Sequence, residues 1–183
     1  MILRPTDLAG CFVIVPEPAV DERGSFARTF DSEAFSAWGL NPVVSQVSVS
    51  RNHAAGTLRG LHYQEAPHAE AKLVRCTQGR VFDVAVDVAT LRWTAVELSA
   101  ANGLALYVPE GFAHGFLTLE PSSELVYQIS RPYVPASSRG LRWDDPALDI
   151  AWPDVGPLTI SERDRGLPLL GDEHRPDGRV PSP

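Results

Sequence analysis

Four side chains stand where they could carry chemistry, and each has a plainer reading beside it. His62 lies in the strand-like run RGLHYQ, residues 59–64, and histidine is the side chain that titrates near neutrality. A lone strand histidine is also a common hydrogen-bonded core residue. Gly60 beside it weakens the strand and marks a bulge or a close approach by another group. Alternation by two puts His62 on one face with Leu58, Gly60 and Gln64, and Arg59 on the other. A bulge at Gly60 would bring Arg59 and His62 to one site. His114 sits in GFAHGF, residues 111–116, where flanking glycines leave room for a ligand. Tyr127 in ELVYQIS, residues 124–130, shares a face with Leu125 and Ile129 and by itself reads as a core tyrosine. Of the 16 basic residues every one but Lys72 is arginine. Drift from lysine to arginine wherever either serves explains the rest and makes the exception informative. Lysine is the compact, tunable point charge, whereas arginine cannot lose its proton.

These residues must be held by short extended segments. The apolar or alternating runs at 11–15, 43–50, 58–64, 72–77, 81–88, 94–99, 105–108, 116–119 and 124–130 read as strands. Gly79, Asn102-Gly103, Pro109-Glu110-Gly111 and Pro121-Ser122-Ser123 supply turns. In the second run Val43, Val47 and Val49 take one face, Gln46, Ser48 and Ser50 the other. Only residues 31–38, closed by Gly39, and a short segment after Ser161 read as helices. Strands at roughly ten-residue spacing without intervening helices predict an all-β antiparallel sandwich or jelly roll with short peripheral helices. Its 14 glycines and 16 prolines fit a turn-rich architecture of this kind. The expected organisation is one domain over residues 1–170, followed by a mobile tail over 171–183 (GDEHRPDGRVPSP).

Composition narrows the partners. A net charge of −7 argues against a general nucleic-acid or membrane-surface binder. No apolar run approaches the ~18 residues of a membrane span, and the start MILRPTDLAG lacks a basic region leading into an apolar one. Cys11 and Cys76 are far apart and form no CxxC, which makes a reducing cytoplasm the expectation. A metal site is disfavoured: metal-binding jelly rolls place a His-x-His pair on one strand, and the sequence here reads His62-Tyr63-Gln64, with His68 beyond Pro67. Glycine-rich phosphate loops and a GxSxG elbow are also missing.

Six ordered blocks carry a resemblance. RGLHYQ (59–64), KLVRCTQGRVFDVAVD (72–87), YVPEGFAHGF (107–116), LVYQ (125–128), RWDDPALDIAWP (142–153) and SERD (161–164) resemble the dTDP-4-dehydrorhamnose 3,5-epimerase family in order and spacing. The likeness runs from about Gly10 to Pro168. It implies a cupin-type jelly roll without metal or other cofactor, a homodimer formed by strand exchange, and a nucleotide-diphosphate sugar as substrate. The implied reaction inverts carbons 3 and 5 of a nucleotide-linked 4-keto-6-deoxy sugar. A ketone at carbon 4 acidifies both neighbouring C–H bonds, so one near-neutral base can serve both. By resemblance His62 is that base, Asp164 holds it, Lys72 stabilises the enolate oxygen and Tyr127 delivers a proton from the opposite face. Ser161-x-x-Asp164 also fits a helix capping box, and both roles are compatible. His114 matches a pocket residue; Arg23, Arg59 and Tyr133 match positions that hold the nucleotide.

Departures cluster at the nucleotide end. The segment 88–93 is some four residues shorter than the family's loop, and the family's QDNxS reads Gln46-Val47-Ser48-Val49-Ser50. Arg28 stands where the family usually has an acid, and with Gln46 and Ser48 it joins the expected substrate-binding set. The resemblance therefore specifies a reaction class and leaves the nucleotide open. An epimerase of carbon 3 alone, a sugar-nucleotide 3,4-ketoisomerase and a non-catalytic binding domain are the alternatives. Retention of His62, Lys72, Tyr127 and Asp164 speaks against the last, since a binder has no use for an acid opposite a base.

Overall fold

A computed structural model describes residues 1–171. The expected mobile tail, but for Gly171, lies outside the described residues. In chain order the elements are β1 (Ile2–Pro5), β2 (Phe12–Val15), β3 (Ala19–Asp21), β4 (Gly24–Phe26), α1 (Ser32–Ala37), β5 (Gln46–Asn52), β6 (Thr57–Gln64) and β7 (Lys72–Gln78). There follow β8 (Arg80–Asp87), β9 (Trp93–Ser99), β10 (Ala105–Val108), β11 (Phe112–Thr118), β12 (Ser123–Ile129), a 3-10 turn at Pro135–Ser137, β13 (Ser138–Gly140), β14 (Thr159–Ile160) and α2 (Glu162–Arg165).

One sheet runs β1-β2-β10-β7-β12-β5 and the other β13-β6-β11-β8-β9, with β14 parallel beside the first residues of β6. All other pairings within the two sheets are antiparallel. The sheets meet through Val74, Cys76, Leu106 and Leu125 on one side and Val81, Ala85, Leu98 and Phe116 on the other. The fold is the expected antiparallel jelly-roll sandwich with short peripheral helices.

The apolar sequence of β8 follows from this layering. Val81 and Ala85 face the inter-sheet core, while Val84 and Val86 face an outer layer built by Leu141 and Leu148. A strand covered on both faces reads as nearly continuous apolar residues. On the outer side of the other sheet, α1 seats Phe35 against Leu73, Ala105 and Tyr107. The helix is short because Asp31 caps its start, accepting from the Glu33 and Ala34 amides, and Gly39 leaves it at a φ of +75°.

The decisive local feature is in β6. His114 pairs with His62 and Phe116 with Arg59, so three steps on β6 oppose two on β11. This is a β-bulge at Gly60-Leu61. A Cβ on Gly60, whose φ is +134°, would lie 2.6 Å from the Gly115 Cα, and one on Gly115 would lie 2.7 Å from the Arg59 carbonyl oxygen. Both glycines are there so that two backbones can close on each other. The room at Gly115 is thus taken by the backbone of β6.

Other boundaries moved for local reasons. Strand β11 starts at Phe112, four residues before the expected run, because the turn at 109–111 feeds straight into it. Strand β5 starts at Gln46, not at residue 43. The strands β1, β3, β4, β13 and β14 are two to four residues each, too short for alternation to register.

Candidate active site

A cavity of about 890 Å³ opens between the two sheets, walled by β5, β6, β7, β11, β12 and α2. It is within the usual size of a small-molecule site. Because of the bulge, Arg59 and His62 both line it, and Leu58 no longer shares the histidine's alternation.

His62 projects from β6. Its Nε2 lies 2.7 Å from Asp164 Oδ1, and the Gly60 amide donates to Oδ2 of the same carboxylate at 3.4 Å. Asp164 is buried at the third position of α2, and its own amide donates to the Ser161 hydroxyl at 3.1 Å. The capping role and the histidine contact therefore coexist: main chain serves the first, carboxylate the second. Burial holds the His62 pKa below its ordinary value, with Asp164 opposing that shift. The ring is accordingly neutral at pH 7 and able to accept a proton.

Across the cavity the other sheet supplies Lys72 and Tyr127. Lys72 Nζ donates to the His62 carbonyl oxygen at 2.9 Å and pairs with Glu70 Oε1 at 3.0 Å. Burial pushes its pKa down, and Glu70 and Asp83 push it back up. Burial also holds the Tyr127 hydroxyl far above its usual range, which keeps it in the proton-bearing form. The Tyr127 ring meets the His114 ring edge-on, centroids 5.7 Å apart. His114 in turn pairs with fully buried Asp83, Nε2 to Oδ1 2.9 Å. Desolvation raises the Asp83 pKa, and the imidazole opposes that.

Arginines complete the mouth. Arg59 Nε donates to Asn52 Oδ1 at 2.9 Å, which aims the side chain and leaves its terminal nitrogens for a ligand. Asn52 is itself fixed by donating to the Ser123 carbonyl at 3.1 Å. Arg163 of α2 also lines the cavity and donates to the Ser138 hydroxyl at 3.0 Å. A neutral base on one sheet and a buried cation with a protonated phenol on the other can remove a proton beside a carbonyl and return one to the opposite face.

The model of the dTDP-4-dehydrorhamnose 3,5-epimerase family matches residues 5–172. The chain belongs to that family. The enzyme so named from Sinorhizobium fredii is 41% identical over 175 residues, covering 93% of this chain and 90% of that one. The crystal structure of the enzyme of that name from Elizabethkingia anophelis superposes with a TM-score of 0.89 at 38% identity, covering 95% and 98% of the two chains. A 3'-monoepimerase from Streptomyces bikiniensis, in complex with dTDP-quinovose, superposes at 0.84 with 37% identity, covering 91% and 86%.

Within this epimerase-family chain, the fold brings seven of the sequence-selected residues to one cavity: His62, Lys72, Tyr127, Asp164, Arg59, His114 and Ser48. Ser48 faces it because it pairs with Tyr127 across β5 and β12. Gln46 does not line it; its Oε1 accepts from the Tyr133 amide at 3.0 Å. Tyr133 does not line it either and is 55% exposed; hydrogen bonding to Ser138 and Arg163 lowers its hydroxyl pKa. Arg23 and Arg28 are not in the cavity. Each is held by a nearby carboxylate, Arg23 by Asp21 in the β3–β4 turn and Arg28 by Asp31 at 2.6 Å. The shortened segment 88–93 is a closed turn in which Asp87 accepts from the Ala89 amide and the Thr90 hydroxyl, and it does not touch the cavity. Sequence reasoning missed Glu70, Asp83, Asn52 and Arg163. Asp83 carried a usable signal, a carboxylate within an apolar strand, since a buried charge needs a partner.

Proposed function

We propose that the enzyme inverts carbons 3 and 5 of a nucleotide-linked 4-keto-6-deoxy sugar, of the dTDP-4-dehydro-6-deoxyglucose type, as one domain spanning residues 1–170. His62 takes the proton from carbon 3 or carbon 5 and becomes imidazolium, which Asp164 stabilises. The electron pair moves into the C4 carbonyl, and the enolate oxygen is met by the Lys72 ammonium. Tyr127 delivers its proton to the opposite face of the same carbon, and solvent restores both groups. Arg59 and Arg163 neutralise the diphosphate. The observation carrying this reading is the placement of His62 and Tyr127 on opposing sheets with Lys72 at the cavity wall.

A homodimer in the cytoplasm is the assembly this reading favours. Strand β2 is paired on both sides within its own sheet, whereas β5 is an edge. Val47 and Val49 on β5 and Val20 and Phe26 on the β3–β4 hairpin are exposed. A second copy covering them would bury that apolar surface. Cys11 and Cys76 are both free and buried, in keeping with a reducing compartment. No helix among the described residues is long and apolar enough to cross a membrane.

Similarity to a 3'-monoepimerase favours one second reading, inversion at carbon 3 alone. Incubating dTDP-4-keto-6-deoxyglucose with the enzyme in deuterated water separates the two. Deuterium at both carbons 3 and 5, with the 3,5-inverted product, is the expected result. Label at carbon 3 alone makes it a monoepimerase, and no label anywhere overturns the proposal.

A further inference from the structure

Lys72 is held in a way its role as an enolate partner does not by itself explain. Its ammonium has three donors. One goes to the His62 carbonyl oxygen and one to Glu70 Oε1. The third is left for the cavity that Lys72 lines. Glu70 is itself buried, its side chain 6% exposed, and its second oxygen Oε2 has no hydrogen-bond partner among the described residues. A buried carboxylate satisfied on one side only keeps its charge through its counter-ion, so each member of the pair depends on the other.

We infer that Glu70 is a positioning residue: its carboxylate fixes the Lys72 ammonium at the cavity wall and keeps it charged there, so that Lys72 meets the substrate as a preset cation. This rests on the role assigned to Lys72 above. The other titratable groups around Lys72 give weaker support. Asp83 from β8 is fully buried and already engaged by His114 of β11. His62 of β6 offers Lys72 its carbonyl, and its imidazole is turned to Asp164 of α2. Tyr127 of β12 carries its proton and contributes no charge. Among the described residues Glu70 is the one carboxylate in direct contact with the ammonium.

Glutamine in its place preserves shape and the accepting oxygen and removes only the charge. Burial already depresses the Lys72 pKa while Glu70 raises it, so Glu70→Gln lowers it further, because an adjacent opposite charge that favours the ammonium is lost. Because Lys72 is the chain's only lysine, protein labelled with 13C-lysine gives a single side-chain Cε signal, and its titration reads this one group. In the untagged full chain the wild-type signal should stay that of an ammonium through pH 8. In Glu70→Gln its midpoint should fall, and the alkaline limb of turnover should fall with it, by about tenfold per pH unit above the new midpoint. Glu70→Asp keeps the charge on a shorter stem, so it should lower turnover at every pH and leave the midpoint near that of wild type.

An unchanged midpoint in Glu70→Gln overturns the inference and leaves the reading of Lys72 intact. A lowered midpoint with an unchanged turnover profile overturns both, because Lys72 would then not need its charge. Equal loss of turnover at all pH values in Glu70→Gln with no shift in the titration reduces Glu70 to a structural residue. A wild-type midpoint below pH 8 overturns the inference without any variant.

Discussion

His62→Ala should lower turnover by about a thousandfold, the scale of a lost general base, equivalent to about 4 kcal/mol of barrier. Among the described residues no other imidazole is placed to substitute, since His114 is 4% exposed and already paired with Asp83. Asp164→Asn should cost less, because the aspartate orients and supports the base without touching the reacting carbon. The pH dependence separates them. Activity requires neutral His62, so it is lost as pH falls through that residue's pKa. Asp164 raises this pKa against burial. Removing the carboxylate therefore moves the acid limb of kcat/KM to lower pH even as turnover drops. The backbone cap survives in the asparagine variant, since it is made by the Asp164 amide. A variant with lowered thermal stability and wild-type turnover would assign Asp164 to the cap alone.

Lys72→Arg should cost about a hundredfold or more in turnover, as for a deleted oxyanion donor. The substitution keeps the charge and looks mild in a chain otherwise devoid of lysine. The site says otherwise. The ammonium sits among Glu70 Oε1 and the His62 carbonyl at about 3 Å, in a wall where Lys72 is 9% exposed. A longer planar guanidinium cannot satisfy both and still offer one donor to a single oxygen. Steady-state turnover of the purified variant checks this. Wild-type turnover would show that Lys72 is merely a lysine that drift left behind.

How far these positions were legible in the sequence depends on what holds each one. The sandwich was legible because turn residues separate short apolar runs, and because β8 is apolar on both faces. The bulge was legible only as a possibility at Gly60: alternation alone put Arg59 and His62 on opposite faces, and the register with β11 decides the matter. Asp164 could be reached from sequence only through the SERD block, since 102 residues separate it from His62. Glu70 escaped notice for a different reason. It lies just before β7, where strand periodicity has not begun, and a surface-type residue there says nothing of a buried ion pair. Arg23 and Arg28 do not line the cavity of their own chain: Arg23 pairs with Asp21 on a hairpin whose strands pair with each other, and Arg28 pairs with Asp31 at the cap of α1.

Proton transfer from opposing sheets is the central claim, and Tyr127→Phe in deuterated water tests it most directly. The variant keeps the ring against His114 and removes only the hydroxyl. His62 and Lys72 are untouched, so abstraction should continue and substrate should gain deuterium with its configuration retained, returned by the same base. Inversion should fall far below exchange. Inversion at the wild-type rate in the variant would contradict the claim, because the proton on the second face would then come from somewhere other than Tyr127.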